Sequence, residues 1–128
     1  MNIPEGLMYT KEHEWAKIDG AQATVGITDY AQHSLGDITF VELPKVGQSV
    51  TQTKFLATVE SVKAASDVYA PLSGNVIKVN ESLKSSPETI NQSPYENGWL
   101  ALIGIKDLKE RGSLMSAAAY KTYVEGLS

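Results

Sequence analysis

The sequence contains no cysteine. This absence excludes disulfide bonds, thiolate zinc sites, cysteine nucleophiles and CxxC redox motifs. If the chain takes part in sulfur or redox chemistry, the sulfur must come from another molecule.

An excess of positive charge and long hydrophobic runs are also missing. The chain has 11 Lys and Arg against 15 Asp and Glu, a net charge of -4, so it offers no basic face to a nucleic acid. No stretch reaches the ~20 apolar residues of a membrane span, and residues 1–10 lack the pattern of a signal or transit peptide. We therefore expect a soluble cytoplasmic protein (mitochondrial matrix for a processed eukaryotic chain) that binds neither nucleic acid nor membranes.

The 128 residues, 42% of them hydrophobic, suit one domain spanning residues 1–128. Short apolar runs separated by frequent turn signals predict a mainly β fold. The strand-like stretches, rich in β-branched and aromatic residues, are 25–27, 38–43, 55–59, 75–79 and 100–105. Residues 55–70 remain ambiguous, because their apolar positions also fit helical spacing.

Two helical segments are predicted. Asp29 and Gln32 have the spacing of a capping box, and Gly36 can end a helix over residues 30–35. Ser113 can cap a C-terminal helix over residues 114–125, which we expect to pack on the β core. Its packing face would carry Met115, Ala119 and Tyr123, with Tyr120, Val124 and Leu127 beside them.

Standard catalytic patterns are absent: the sequence has no GxSxG, HExxH, GxxxxGK[ST] or GxGxxG motif. His13 and His33 lie in different polar segments, for which structural roles are the simpler interpretation. Glu12 and Glu14 would share one face of a strand. There they could bind a cation, raise one another's pKa or, as is more usual, face water. We predict no catalytic residue and no metal ligand.

One segment carries more information. Lys63 lies between two strand-like halves, with Glu60 three residues before it, and spacing alone would make it an ordinary surface lysine. The segment nevertheless resembles the modification hairpin of lipoyl and biotinyl carrier domains, and residues 60–67, ESVKAASD, are similar to those of glycine cleavage system H proteins. Further motifs match that family in order: HEW at 13–15, VGIT at 25–28, LGD at 35–37, VELP at 41–44, YAP at 69–71, SG at 73–74, Asn91, PY at 94–95 and GW at 98–99.

The resemblance implies a lipoyl/biotinyl-type flattened barrel, the barrel-sandwich hybrid. It makes residues 55–62 and 65–70 the arms of a hairpin with Lys63 and Ala64 at the tip. Biotinyl domains place methionine on both sides of the lysine, whereas Val62 and Ala64 flank it here. The implied cofactor is therefore lipoate, covalently attached to Lys63.

The resemblance also implies a non-catalytic carrier, expected to be a monomer. It would carry an aminomethyl group from a pyridoxal-phosphate glycine decarboxylase to a tetrahydrofolate-dependent aminomethyltransferase. A flavin (FAD) dihydrolipoyl dehydrogenase would then reoxidise its reduced lipoyl arm. Glu14 and Asp67 match family positions that hold the amine of the loaded arm, with Glu12 a weaker candidate. Glu60 would be recognised by the lipoate-attaching enzyme.

Three alternatives remain open. The chain could be a lipoyl or biotinyl carrier of another complex, although such domains are usually joined by a flexible linker to a catalytic domain. It could be a relay that donates lipoate from Lys63 to the carriers of 2-oxo acid dehydrogenases. It could also be a β-rich interaction module with an unmodified Lys63.

Overall fold

Two antiparallel β-sheets form most of the protein in the computed structural model, which describes residues 1–127. The strands within that range are β1 (Met8–Tyr9), β2 (Glu14–Asp19), β3 (Gln22–Ile27), β4 (Ile38–Glu42), β5 (Ser49–Val50), β6 (Phe55–Ser61), β7 (Ala65–Tyr69), β8 (Gly74–Val79) and β9 (Ala101–Ile105). One sheet has the order β1-β2-β3-β9-β8-β5, and the other has the order β4-β6-β7. The predicted mainly β flattened barrel is confirmed: it consists of these two sheets, which within the described residues are not hydrogen-bonded into one closed barrel.

The helices are short and lie between or after the strands. They are α1 (Asp29–Leu35), α2 (Thr89–Gln92), α3 (Ala117–Glu125) and the 3₁₀ segments Glu81–Lys84 and Leu108–Ser113. Within residues 1–127, no helix is long and apolar enough to cross a membrane.

Helix α1 begins one residue earlier than predicted. Thr28, not Asp29, is the N-cap, and its hydroxyl group accepts a hydrogen bond from the Ala31 N–H at 3.2 Å. Asp29 instead accepts from the Gln32 side-chain amide at 2.7 Å. Gly36 ends the helix with a φ of 80°, as the sequence predicts.

Helix α3 begins at Ala117, three residues later than predicted. Met115 is extended and exchanges two backbone hydrogen bonds of 2.8 Å with Tyr9, so the chain is still strand-like at this point. The N-cap is Ser116, whose hydroxyl group accepts from the Ala119 N–H at 3.2 Å, and not Ser113. The predicted packing face is also wrong in part, because Ala119 is exposed and Tyr120 is the fully buried residue of the helix.

The interior contains two apolar clusters. The larger is formed by buried aliphatic residues of both sheets, including Val25, Val59 and Ile103. The smaller joins Tyr9 and Trp15 to Tyr120, so it attaches α3 to the end of the six-stranded sheet. This second cluster lies next to the candidate site.

Candidate functional site

The first component of the site is a β-hairpin. Strands β6 and β7 pair antiparallel with Glu60 opposite Ala65, which resolves the ambiguity of residues 55–70 in favour of strands. The Ser61 N–H donates to the Ala64 carbonyl at 2.8 Å, so Val62 and Lys63 are the two residues that turn the chain. The predicted tip, Lys63 and Ala64, is therefore one residue too far along.

Ser61 stabilises this tip in place of the usual turn residues. Its hydroxyl oxygen accepts from the N–H groups of Lys63 and Ala64, both at 3.1 Å. Neither Val62 nor Lys63 has a positive φ, so the turn does not depend on glycine, asparagine or aspartate. The Val62 N–H also donates to the Asp37 carbonyl at 3.1 Å, which fixes the tip to the chain that follows α1.

The Lys63 side chain is exposed at the tip. Its stem passes over Gly36, where an added Cβ would lie 3.3 Å from the lysine Cε. In the part of the chain that the structure describes, the only ion pair joins Lys84 to Glu81. Within the described residues, Lys63 is therefore exposed and forms no ion pair with a neighbouring carboxylate.

The second component is a cavity of about 650 Å³ at the far end of β7. Its apolar walls include Tyr9, Pro71, Leu114 and Met115, contributed by β1, the segment after β7 and the segment before α3. Glu14 lies at this cavity and is only 2% exposed. The sequence-based interpretation of Glu14 as a solvated carboxylate is wrong.

Two hydrogen bonds stabilise the Glu14 carboxylate. The Thr10 hydroxyl group donates to its Oε1 at 2.5 Å, and the Tyr69 N–H donates to its Oε2 at 3.1 Å. Burial raises the pKa of Glu14 to about 7, the two hydrogen bonds oppose that rise, and the charge of Glu12 adds to it. Since no cation forms an ion pair with it in the described chain, Glu14 is a buried acceptor suited to a cationic group entering the cavity.

The other predicted acidic residues lie at different distances from the cavity. Glu12 lines it but is exposed and precedes β2, so it does not share a strand face with Glu14. Asp67 is exposed on β7, two residues nearer the tip than Tyr69 and on the same strand face, and accepts from the Thr58 hydroxyl group at 3.3 Å. Glu60 is exposed on β6, opposite Ala65. The structure thus brings Glu12 and Glu14 to the cavity, while Asp67 lies between the cavity and the tip.

Helix α3 holds the segment 10–13, of which Thr10, Lys11 and Glu12 line the cavity. The His13 Nδ1 is 2.8 Å from the Tyr120 hydroxyl oxygen, and the Tyr123 hydroxyl group donates to the Lys11 carbonyl at 3.2 Å. His13 has a φ of 70°, and burial lowers its pKa, an effect that the charge of Glu12 partly offsets. His13 therefore has a structural role, as the sequence suggests.

Sequence reasoning missed Thr10 and Tyr69 as partners of Glu14. The four-residue spacing of Thr10 and Glu14 gives a weak local signal, because a hydroxyl group can bond a carboxylate across a tight turn. The contact from the Tyr69 backbone has no local signal, since it joins residues 55 positions apart. Residues 1–127 contain no group of three His, Asp or Glu side chains arranged to hold a metal ion.

Comparisons with known proteins agree on one family. Residues 7–126 match the family model described as "Glycine cleavage H-protein". The chain is 55% identical over 125 residues to the glycine cleavage system H protein of Halothermothrix orenii, covering 98% of each chain, and 50% identical over 124 residues to that of Geobacillus thermodenitrificans, covering 97% of this chain and 98% of the other. The crystal structure of a glycine cleavage system H protein from Mycobacterium marinum superposes with a TM-score of 0.88 at 38% identity, covering 96% of this chain and 99% of that one.

Proposed function

Because the chain belongs to the glycine cleavage H-protein family, we propose that Lys63 is its lipoyl attachment site and that the cavity at Glu14 shelters what the lipoyl arm carries. Members of this family are carrier components of the glycine cleavage system, bear lipoate and are not themselves catalysts. The single observation that supports the assignment to Lys63 is its exposed position at the tip of the β6–β7 hairpin.

The residues present fit a lipoyl-lysine. An amide bond to Lys63 needs an accessible amine, and the Ser61 and Asp37 hydrogen bonds hold the tip rigid while the side chain stays exposed. Strand β7 runs from the tip to the cavity, and its four residue steps span about 13 Å. The aliphatic part of a lipoyl chain matches the apolar cavity walls at Pro71 and Met115.

When bound, the lipoyl group supplies a disulfide that accepts an aminomethyl group and is reduced, so the protein needs no thiol of its own. The chain's residues keep this group tethered near each docked enzyme at high effective concentration. The proposed partners are the glycine decarboxylase, the aminomethyltransferase, the dihydrolipoyl dehydrogenase and the lipoate-attaching enzyme, each of which we expect a monomer of this chain to meet in turn.

The acidic residues have separate proposed roles. Glu14 binds the protonated amine inside the cavity, because an ionised carboxylate away from water attracts a cation strongly. Glu12 adds negative charge at the rim, and Asp67 lies on the face of β7 that leads from the tip to the cavity. Glu60 is exposed on β6, and the lipoate-attaching enzyme recognises it there.

Intact-mass measurement after treatment with a lipoate ligase tests the attachment site. We expect one lipoyl increment on the wild-type protein and none on Lys63→Arg. Lys54→Arg, at the other end of β6, is the matched control and should gain the same increment as wild type. An increment that persists in Lys63→Arg, a biotin increment, or no increment on any variant would reject the proposal.

Reconstitution then tests the assignment to the glycine cleavage system. Lipoylated protein should support glycine decarboxylation by a glycine decarboxylase of this system. Activity only as a lipoate donor to 2-oxo acid dehydrogenase carriers would support the relay alternative instead.

A further inference from the structure

We propose that Thr10 is a positioning residue for Glu14: its hydroxyl group keeps the buried carboxylate ionised and fixed at the cavity, and so determines how firmly the cavity holds a cationic amine. This inference deepens the proposed holding role of Glu14 and rests on it. Thr10 is neither the proposed attachment residue nor one of the acidic residues assigned a role above.

The geometry shows why the hydroxyl group favours the ionised form. Thr10 Oγ1 accepts from the Glu14 N–H at 3.1 Å, which occupies a lone pair, and the hydroxyl proton then points to Glu14 Oε1 at 2.5 Å. The Thr10 N–H also donates to the Glu14 carbonyl at 3.0 Å, so three hydrogen bonds join these two residues. With Tyr69 donating to Oε2, each carboxylate oxygen accepts a hydrogen bond, an arrangement that stabilises the charged form.

Effects that raise the pKa of Glu14 and effects that lower it act together at this site. Burial and the charge of Glu12 raise its pKa, and only the Thr10 and Tyr69 hydrogen bonds oppose them. The other titratable groups that line the cavity are Tyr9, Lys11 and Tyr69.

His13 does not contribute to this balance through a direct contact. Its ring contacts Tyr30 and Tyr120 instead. The Tyr69 donor is a backbone N–H, so among residues 1–127 Thr10 provides the only side-chain hydrogen bond that favours ionisation of Glu14.

Loss of the Thr10 hydroxyl group therefore shifts Glu14 toward its neutral form near pH 7. A neutral carboxyl group lacks the charge that attracts an ammonium group. Thr10→Val removes the donor while keeping the side-chain shape, and Thr10→Ser keeps the donor.

The primary test is a carboxyl-carbon NMR titration of Glu14 in the unmodified full-length protein, with Glu14→Gln used to assign the signal. We expect Thr10→Val to raise the titration midpoint by about one to two pH units and Thr10→Ser to leave it near the wild-type value. Thr39→Val, an exposed threonine on β4, is the matched control and should leave the midpoint unchanged. If Thr10→Val does not fold, Thr10→Ala provides the same measurement. An unchanged midpoint in the folded variant overturns the inference.

The second test uses lipoylated protein whose arm carries the amine, with ammonia release followed against pH. We expect Thr10→Val to release it several-fold faster than wild type at pH 7, and at the same rate as wild type at pH 5, where Glu14 is protonated in both. A rate that is higher by the same factor at both pH values would indicate a general structural defect and overturn the positioning role.

The two experiments separate the two proposals. If the midpoint shifts in Thr10→Val but neither that variant nor Glu14→Gln changes release, Thr10 positions Glu14 and the holding role of Glu14 is wrong. If Glu14→Gln speeds release while the midpoint in Thr10→Val stays fixed, the holding role stands and the Thr10 inference is wrong.

Discussion

Glu14 occupies an environment that disfavours an ionised carboxylate. It is buried, its described surroundings provide no ion-pair partner, and only two hydrogen bonds oppose the effect of burial. The sequence alone favoured a solvated Glu14. The only local indication of exposure in a strand is that successive side chains alternate between its two faces, and an acidic residue is usually on the face in water. Its long-range partner, the Tyr69 N–H, lies 55 positions away, and the residues next to Glu14 in the sequence give no sign of that contact.

This environment predicts a pH-dependent stability that Glu14→Gln should remove. Because the folded-state pKa of about 7 lies above the ordinary 4.5, the contribution of Glu14 is full below pH 4.5 and is lost as the pH rises through 7. The free energy of unfolding of wild type, relative to Glu14→Gln, should therefore fall by on the order of 3 kcal/mol between pH 4.5 and pH 8.

Urea unfolding of both proteins at several pH values measures this difference. His13 is present in both, so its own titration largely cancels in the comparison. A stability difference that does not vary with pH would contradict the raised pKa of Glu14.

At the scale of elements, the β6–β7 hairpin and the end of α1 together determine where Lys63 projects. Gly36 closes α1 with φ 80° and ψ -156°, a combination that residues with a Cβ strongly disfavour, and the Lys63 stem lies directly over it. The glycine therefore has two functions: it ends the helix and it leaves room for the lysine.

Comparison of Gly36→Ala with Gly47→Ala separates these two functions. Both glycines have a positive φ, but a Cβ at position 47 would meet nothing within 4 Å, whereas one at position 36 would contact Lys63. We expect both variants to lose about 1–3 kcal/mol of unfolding free energy. Only Gly36→Ala should also slow modification by a lipoate ligase, measured as kcat/KM on folded protein, and equal modification rates would contradict this account.

The hairpin shows how far sequence reasoning reaches at this scale. Local patterns left residues 55–70 undecided between a helix and an extended hairpin. The family resemblance resolved them as a hairpin, with a tip displaced by one residue. The displacement has a physical cause: Ser61 caps the turn through its hydroxyl group, and a serine carries a weaker turn signal than Asn-Gly or Asp-Gly. The helix-ending role of Gly36, by contrast, was predictable, because a glycine directly after a helical segment is a strong local signal, and its φ in the structure is indeed positive.

At the scale of the whole molecule, the C-terminal helix supports a wall that lies near the N-terminus in sequence. Tyr120 is fully buried, and its hydroxyl group is 2.7 Å from the Thr28 hydroxyl oxygen and 2.8 Å from His13 Nδ1. The existence of this helix was predictable from its apolar spacing. Its start was not, because the pairing of Met115 with Tyr9 keeps the preceding residues extended.

Tyr120→Phe should therefore destabilise the protein without changing its core volume. We expect a loss of about 1–2 kcal/mol in the free energy of unfolding, since the buried hydroxyl groups of Thr28 and Tyr120 are partners. Tyr123→Phe is the control: its bond to the Lys11 carbonyl is exposed and water can replace it, so the loss should stay below about 0.5 kcal/mol. Urea unfolding measures both, and equal losses would contradict the role assigned to Tyr120.

Because Tyr9 pairs with Met115, the two parts of the site can form only at different times during synthesis of the chain. The hairpin that bears Lys63 is complete once residue 69 has been synthesised, whereas the cavity wall includes Leu114 and Met115. Tyr120, which lies later still, contacts His13 next to that wall. A nascent chain, or one shortened before residue 114, would therefore present the exposed Lys63 before the cavity at Glu14 has its full wall. Under the proposed function, shelter for the amine would therefore depend on residues 114–115, which are made about 45 positions after the hairpin.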